Sequence, residues 1–276
     1  MSVVMAGLSP HPPLIIPEIG GEDRKKVSDT INSLRELSSE IASIDPEVIL
    51  TISPHGSVFR DAISVLSLPV LKGDFSQFGV SSVKFTKETD MDFIRELDKI
   101  ATENGKTLVK LDKDNSRNYN LNPELDHGVM VPLFYLEEAG VDSSLVPLSM
   151  GLMEYNELYE FGHLIKETAE NLHKKTVIIV SGDLSHRLKP GAPAGYNPRG
   201  KEFDNKLVEY LKSKEFESIL NMDPALIEKA GECGLRPLIM MLGAIREFEV
   251  KVDMKSYEGP FGVGYAVAGF YLKEKG

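Results

Sequence analysis

The segment at residues 48–52 constrains the fold more than any other part of this sequence. Every position in it is apolar or β-branched, which is typical of a strand covered on both faces by helices. Residues 3–8 and 176–180 show the same pattern, and stretches with helical periodicity separate these segments. We therefore predict an α/β fold whose central sheet is mostly parallel or mixed and is flanked by helices.

Length and charge limit the classes of protein to be considered. The apolar segments are spread evenly over 276 residues, which predicts a single domain at residues 1–276. A net charge of -11 without a cluster of Lys and Arg argues against nucleic acid or an anionic membrane as the main partner. The first residues lack the features of a signal peptide, and the single cysteine, Cys233, permits no internal disulfide, so we expect a cytoplasmic protein.

Periodicity and turn residues place the remaining elements. Residues 62–66 and 82–85 are expected to form antiparallel strands joined by the polar residues 72–74, and the polar stretch before residue 124 is expected to be a long loop. The predicted helices are residues 24–44, 90–104, 129–138, 155–173, 201–212, 224–230 and 237–245.

Four of the six histidines lie in loops at the ends of predicted elements. His11 and His55 each follow a strand in a Ser-Pro-His turn, His186 follows the strand at 176–180, and His127 precedes a helix. Open α/β sheets bind ligands at the carboxyl ends of their strands, so we expect these four side chains to share one site. The other two, His163 and His173, lie in an amphipathic helix and are expected at the surface.

His11 and His55 are the natural metal-ligating pair, because neutral imidazole is the commonest ligand for transition metals. A carboxylate on the same face would leave coordination positions open for substrate and dioxygen. We favour Glu232, which lies on a tight turn between two helices, although it could equally be a helix-end charge or a cap. Cys233 is the alternative ligand, because a thiolate binds soft metals.

Two further residues could move protons at this site. His186 is well placed as a general acid or base, and Asp183 could orient it or cap the turn. His127 could face substrate or oxygen, or serve only to begin its helix. The glycines at 259–264 precede a strand rather than a helix, and residues 182–186 lack the Gly-x-Ser-x-Gly arrangement, so neither a dinucleotide loop nor a serine hydrolase is expected.

Six motifs together resemble a known family over almost the whole chain. They are residues 9–18 (Ser-Pro-His-Pro-Pro-Leu-Ile-Ile-Pro-Glu), 52–55 (Ile-Ser-Pro-His), 123–128 (Pro-Glu-Leu-Asp-His-Gly), 181–186 (Ser-Gly-Asp-Leu-Ser-His), 232–236 (Glu-Cys-Gly-Leu-Arg) and 257–265 (Tyr-Glu-Gly-Pro-Phe-Gly-Val-Gly-Tyr). This set is similar to the class III extradiol ring-cleavage dioxygenase superfamily, the LigB type. Within it, the chain is most similar to the AmmeMemoRadiSam system proteins, which are related to the Memo proteins.

The resemblance implies a LigB-like fold and non-haem Fe(II), with zinc or copper as alternatives, held by His11, His55 and Glu232. It implies that a small catechol-type diol is cleaved with dioxygen, with His186 as acid and base and His127 as a further active-site histidine. It also implies a homo-oligomer.

The Memo-like relatives differ from the dioxygenases at one position of this site. They carry a cysteine in place of the carboxylate, so Cys233 could be the third ligand. The chain would then be a metal-binding or redox accessory protein that works with a radical-SAM partner and does not cleave rings. Hydrolysis by a zinc-activated water is a weaker third hypothesis.

Overall fold

The computed structural model describes residues 2–275 and confirms a single α/β domain around a mixed sheet. Its strands are β1 (Val3–Ser9), β2 (Val48–Ser53), β3 (Ile63–Leu66), β4 (Val70–Phe75), β5 (Val80–Glu88), β6 (Leu108–Leu111), β7 (Ser144–Ser149), β8 (Thr176–Ser181), β9 (Phe248–Glu258) and β10 (Tyr265–Glu274). Its α-helices are α1 (Pro17–Gly20), α2 (Ser28–Ile44), α3 (Met91–Glu103), α4 (Lys113–Asn118), α5 (His127–Glu138), α6 (Tyr155–Leu172), α7 (Pro198–Ser213), α8 (Phe216–Leu220), α9 (Pro224–Ala230) and α10 (Leu235–Ile245).

Eight of these strands form the central sheet, in the order β6-β3-β7-β2-β8-β1-β10-β9. The four middle strands, from β7 to β1, are mutually parallel, whereas β10 and β9 add antiparallel edges beyond β1. Strand β8 lies between β1 and β2 and is parallel to both. The carboxyl ends of β1, β8 and β2 therefore meet at one edge of the sheet.

The sheet separates two hydrophobic layers, which explains why its middle strands are apolar at every position. In β2, Leu50 and Ile52 face the layer formed with α3, α6, α7, α8, α9 and α10. Ile49 faces the opposite layer, formed with α2, α5 and the β4–β5 hairpin. Each fully buried Leu or Ile side chain contributes roughly 1.5–3 kcal/mol. Both layers therefore hold the middle strands, and with them the loops at their carboxyl ends.

Some local expectations were wrong. Residues 72–74 lie within β4 rather than in a connection, and β4 pairs with β5, while β3 belongs to the central sheet. The long polar stretch contains a short helix, α4, whose first turn is capped by Asp112. The first long helix begins at Ser28, because residues 21–27 form a 3₁₀ helix. Helix α8 was not anticipated. Between residues 2 and 275, no helix is both long and apolar enough to cross a membrane.

Candidate metal centre

The order of the middle strands brings the predicted histidine pair together. His11 follows β1 and His55 follows β2, with β8 between these two strands. The Nε2 atoms of the two rings lie 2.9 Å apart, and the rings meet edge to face. The sequence-based expectation that these side chains meet at one edge of the sheet is therefore met.

Contacts from β8 and the loop after it fix His11. Its Nδ1 lies 2.6 Å from Ser181 Oγ, and its backbone N–H donates to Asp183 Oδ1 at 3.0 Å. The residue is only 2 % exposed, and burial lowers the pKa of His11 to about 4. The imidazole is consequently neutral near pH 7. Because Ser181 occupies Nδ1, Nε2 is the nitrogen that can bind a metal.

A close backbone contact brings Cys233 to the same point. A Cβ added at Gly182 would lie 2.1 Å from Gly234 Cα, so only glycine allows the end of β8 to approach the turn before α10 this closely. The N–H of Asp183 donates to Cys233 Sγ at 3.3 Å, and this sulfur lies 3.6 Å from His11 Nε2. One donor atom from each of His11, His55 and Cys233 lies within 4.8 Å of the other two.

The structure places Glu232 differently from its neighbour. Its carboxylate accepts a hydrogen bond from the N–H of Leu235 at 2.6 Å and lines a small internal space beside Leu8 and Phe203. Burial raises the pKa of Glu232. The carboxylate serves the first turn of α10, and it is not part of the group formed by His11, His55 and Cys233.

His186 and Asp183 form an adjacent acid–base pair. Asp183 Oδ2 lies 3.9 Å from His186 Nε2, and the same nitrogen lies 3.9 Å from Cys233 Sγ. Burial opposes a charge on His186, but the carboxylate of Asp183 outweighs this effect and raises the pKa of His186. Burial also opposes the charge on Asp183, yet His11 and His186 lower its pKa. A half-exposed imidazole beside an ionised carboxylate is suited to accept and return a proton.

Asp204, on α7, supports the segment that carries His186. The Ser185 N–H donates to its Oδ1 at 2.8 Å, and the Tyr257 hydroxyl donates to its Oδ2 at 2.6 Å. Gly264, in the glycine-rich loop, accepts from Leu184 N and donates to Ser185 O through its backbone. Asp204 is fully buried, and burial raises its pKa to about 7. Residues 257–265 thus hold the loop that carries His186 in place, through hydrogen bonds to Asp204 and to the backbone before His186.

His127 lies beside His55, on the exposed side of the site. Their rings stack with centroids 4.2 Å apart, and Phe78 packs against His127 from the 3₁₀ helix Ser76–Phe78. Burial lowers the pKa of His127 to about 3. Asp126 caps α5, as expected, by accepting from the N–H groups of Gly128 and Val129.

The two remaining histidines lie away from this edge of the sheet. His173 is exposed at the end of α6, and His163 is half-buried near Glu167 and Glu247. Sequence reasoning missed the roles of Ser181 and Phe78. The position of Ser181 at the end of a buried strand was a usable signal, whereas nothing in the sequence placed Phe78 beside His127.

The donor set fits a divalent transition metal. Two nitrogens bound to one metal at about 2.1 Å lie roughly 3 to 3.5 Å apart, and a sulfur ligand lies slightly farther away. The separations of 2.9 Å between the nitrogens and 3.6 Å from the His11 nitrogen to the sulfur are close to this arrangement. Burial raises the pKa of the Cys233 thiol, but a bound cation favours the thiolate, so metal binding would release its proton. Iron, zinc and copper are each compatible with imidazole and thiolate ligands.

A cavity of about 500 Å³ opens beside His55. The loop after β2 and the carboxyl end of β7 form one wall, and the segment before α5 forms another. An elongated molecule could reach His55 from solvent through this cavity, and a small aromatic ring is within its capacity.

Comparison with known proteins agrees with the fold. The family model described as the catalytic LigB subunit of aromatic ring-opening dioxygenase matches residues 5–268, and the chain therefore belongs to the LigB family. A crystal structure of an uncharacterized protein from Escherichia coli K12 superposes with a TM-score of 0.64 at 14% identity, over 96% of this chain and 99% of that one. This likeness concerns the fold alone.

Individual relatives fall into two groups. A protein of Clostridium acetobutylicum is 34% identical over 94% of this chain and 56% of its own length, and a MEMO1 family protein of Pyrococcus abyssi is 28% identical over 48% of this chain and 50% of its own. The chain thus spans about half the length of these two relatives. The 2-aminophenol 1,6-dioxygenase beta subunit of a Pseudomonas species is 22% identical over 99% of this chain and 95% of its own length.

Proposed function

We propose that this protein is a metal-dependent oxidoreductase that opens the ring of a small catechol-type diol with dioxygen. The observation that carries the proposal is the group formed by His11, His55 and Cys233, whose donor atoms lie within 4.8 Å of one another beside an open cavity. His11 and His55 would hold Fe(II), with Cys233 rather than Glu232 as the third ligand. When bound, the iron would supply the redox chemistry that dioxygen needs to react with a diol.

The residues around the metal group would transfer the proton, orient His11 and bind the aromatic ring. His186 takes the proton of a phenolic hydroxyl and returns it later, because the carboxylate of Asp183 raises the pKa of His186 and so makes it a stronger base. Asp183 also orients His11 through the backbone N–H, so one carboxylate aligns a metal ligand and the base. His127 and Phe78 form a wall against which an aromatic ring can pack.

Oxygen uptake tests this proposal directly. The Fe(II)-loaded protein is expected to consume dioxygen only when a catechol is present, and a ring-opened product should be detected by its absorbance. His186→Ala is expected to reduce the rate by about 10²–10⁴, the usual contribution of general acid–base catalysis, while metal binding stays intact. Absence of catechol-dependent uptake across a panel of substituted catechols would reject ring cleavage.

The thiol of Cys233 favours a second candidate function. A thiolate with two imidazoles also suits copper or zinc, and MEMO1 family proteins are among the relatives. In this case the protein would be a metal-binding or redox accessory that works with a radical-SAM partner. It would bind metal tightly and form a complex with that partner, but it would not consume dioxygen with any catechol.

The proposal includes assembly with other chains, since one relative is named as a beta subunit. Sedimentation velocity measures this property independently of activity. A homo-oligomer is the expected result, and a monomer at micromolar concentration would contradict it.

A further inference from the structure

The wall of the cavity beside His55 carries negative charge, and no cationic side chain is among its lining residues. Its lining includes the carboxylates of Asp74, Glu124 and Asp126, and it contains no Lys or Arg. The remaining polar groups of the lining are hydroxyls, amides and His55. A ligand that enters this cavity therefore passes from water into a negative potential with low-dielectric walls, which strengthen charge interactions.

Of the three carboxylates in this lining, Asp126 is the one that interacts electrostatically with His55, and only one of its oxygens is occupied. Oδ1 accepts hydrogen bonds from Ser53 Oγ at 2.6 Å and from Gly128 N at 2.8 Å. Among residues 2–275, no hydrogen bond to Oδ2 is formed, and this oxygen lies beside Gly56 on the cavity wall. The cap and Ser53 hold the carboxylate in place, so Oδ2 remains a fixed, unused acceptor.

The other two carboxylates contribute unequally. Glu124 is exposed at the cavity rim and accepts from Asn122 through one oxygen only. Asp74 accepts from Ser76 and pairs across the hairpin with Lys84, so part of its charge is already compensated. Asp126 at the inner wall and Glu124 at the rim therefore provide most of the uncompensated charge.

We propose that this cavity selects a diol that carries a positively charged amine on a short chain, and that it discriminates against diols with a carboxylate. The inference rests on the proposed function, because the diol would bind at the metal while its ammonium group donates to Asp126 Oδ2. Glu124 would attract the same cation at the entrance. An anionic substituent would face the carboxylates without a cation to receive it.

Three probes with one diol head separate the effect of charge from that of metal binding. Dopamine carries an ammonium group, 4-propylcatechol is a neutral analogue of similar shape, and 3,4-dihydroxyphenylpropanoate is an anion. Their Kd values are measured by anaerobic calorimetry on the Fe(II)-loaded protein. Dopamine is expected to bind about 10-fold more tightly than the neutral probe, and the anion more weakly still, as for one partly buried ion pair.

Two variants assign the preference to residues. Asp126→Asn retains a side chain that caps helices, and it is expected to reduce the preference for dopamine to about threefold or less. Glu124→Gln changes an exposed residue outside any helix, so it tests the charge effect even if Asp126→Asn disturbs α5. The matched control is Asp142→Asn, an exposed carboxylate outside the cavity, which should leave all three Kd values unchanged.

The outcomes distinguish this inference from the function on which it rests. Equal Kd values for the three probes, or tightest binding of the anion, would overturn the charge selection and leave diol binding at the metal intact. A preference for dopamine that persists in both Asp126→Asn and Glu124→Gln would overturn the role of these carboxylates. Failure of all three probes to bind would reject both the inference and the proposed binding of diols.

Discussion

The two halves of the candidate metal centre are built differently. The fixed half consists of His11, Ser181, Asp183 and Cys233, which are joined by hydrogen bonds between β1, β8 and the turn before α10. Most of this half is buried. Because Gly182 and Gly234 have no side chains, their backbones can lie in direct contact. This half holds its donor atoms in place before any metal binds.

The open half consists of His55, His127, Phe78 and Asp126. The ring of His55 is exposed and is positioned mainly by stacking on His127 and by the hydrogen bond of its backbone N–H to a serine hydroxyl. His55 and Asp126 line the cavity. One side of the site is therefore rigid and the other is open to ligands, so substitutions in the two halves should have different effects.

Matched glycine substitutions give the largest expected difference between the halves. In Gly182→Ala the new Cβ would meet the backbone of Gly234, which cannot move without displacing α10, whereas in Gly56→Ala it would meet the hydroxyl of Ser149. We expect Gly182→Ala to lower the free energy of unfolding by about 3 kcal/mol or more, and Gly56→Ala by about 1 kcal/mol. Urea denaturation of both variants measures this difference, and equal losses would contradict the distinction.

The pH dependence of stability tests the support behind the fixed half. Burial raises the pKa of Asp204 from 3.8 to about 7, so the folded protein binds more protons than the unfolded chain between these values. The stability from this group is fully present below pH 3.8 and is lost as pH rises through 7, a loss of about 4 kcal/mol. In Asp204→Asn this decline should be absent, as measured by denaturation at several pH values. An unchanged pH dependence in the variant would show that Asp204 does not titrate in this range.

Ser181→Ala removes the hydroxyl that orients a metal ligand without removing a donor atom. A group that hydrogen-bonds to a metal-ligating histidine typically contributes about 10- to 100-fold to metal affinity. We expect Ser181→Ala to lower the affinity about 10-fold. Competition with a chelator on the purified protein measures the affinity. If the variant binds metal as tightly as the wild type, the hydrogen bond to His11 Nδ1 does not position the ring.

The smallest change in metal affinity is expected for His127→Ala. His127 packs against His55 but contributes no atom to the close group of donors, so metal affinity should change by less than about threefold. Catechol binding should weaken, because the ring loses one wall of its site. A loss of metal affinity as large as that of Ser181→Ala would place His127 among the ligands.

The sequence predicted the strand ends well, for a physical reason. The apolar runs at residues 48–52 and 176–180 each require burial on both faces, and this condition fixes parallel strands and their common carboxyl edge. Because His11, His55 and His186 immediately follow such strands, their convergence could be inferred without knowing which strands are neighbours.

The third ligand could not be inferred in the same way. Glu232 and Cys233 are adjacent in sequence, and either could face the histidines from a tight turn. The choice depends on the contact between Gly182 and Gly234, which are 52 residues apart in the numbering of the chain. It also depends on the N–H of Leu235, which the Glu232 carboxylate caps. Such long-range backbone contacts leave no periodic signal, and the same holds for the pairing of β4 with β5.

Fe(II) titration of three proteins shows whether His11 and His55 share the metal with Cys233 or with Glu232. Wild type, Cys233→Ala and Glu232→Gln are purified without oxygen, and their affinities are measured by competition with a chelator. We expect a loss of at least about 100-fold for Cys233→Ala and a change of less than about threefold for Glu232→Gln. If Glu232→Gln loses the metal while Cys233→Ala retains it, the carboxylate is the ligand and the assignment made from the geometry is wrong.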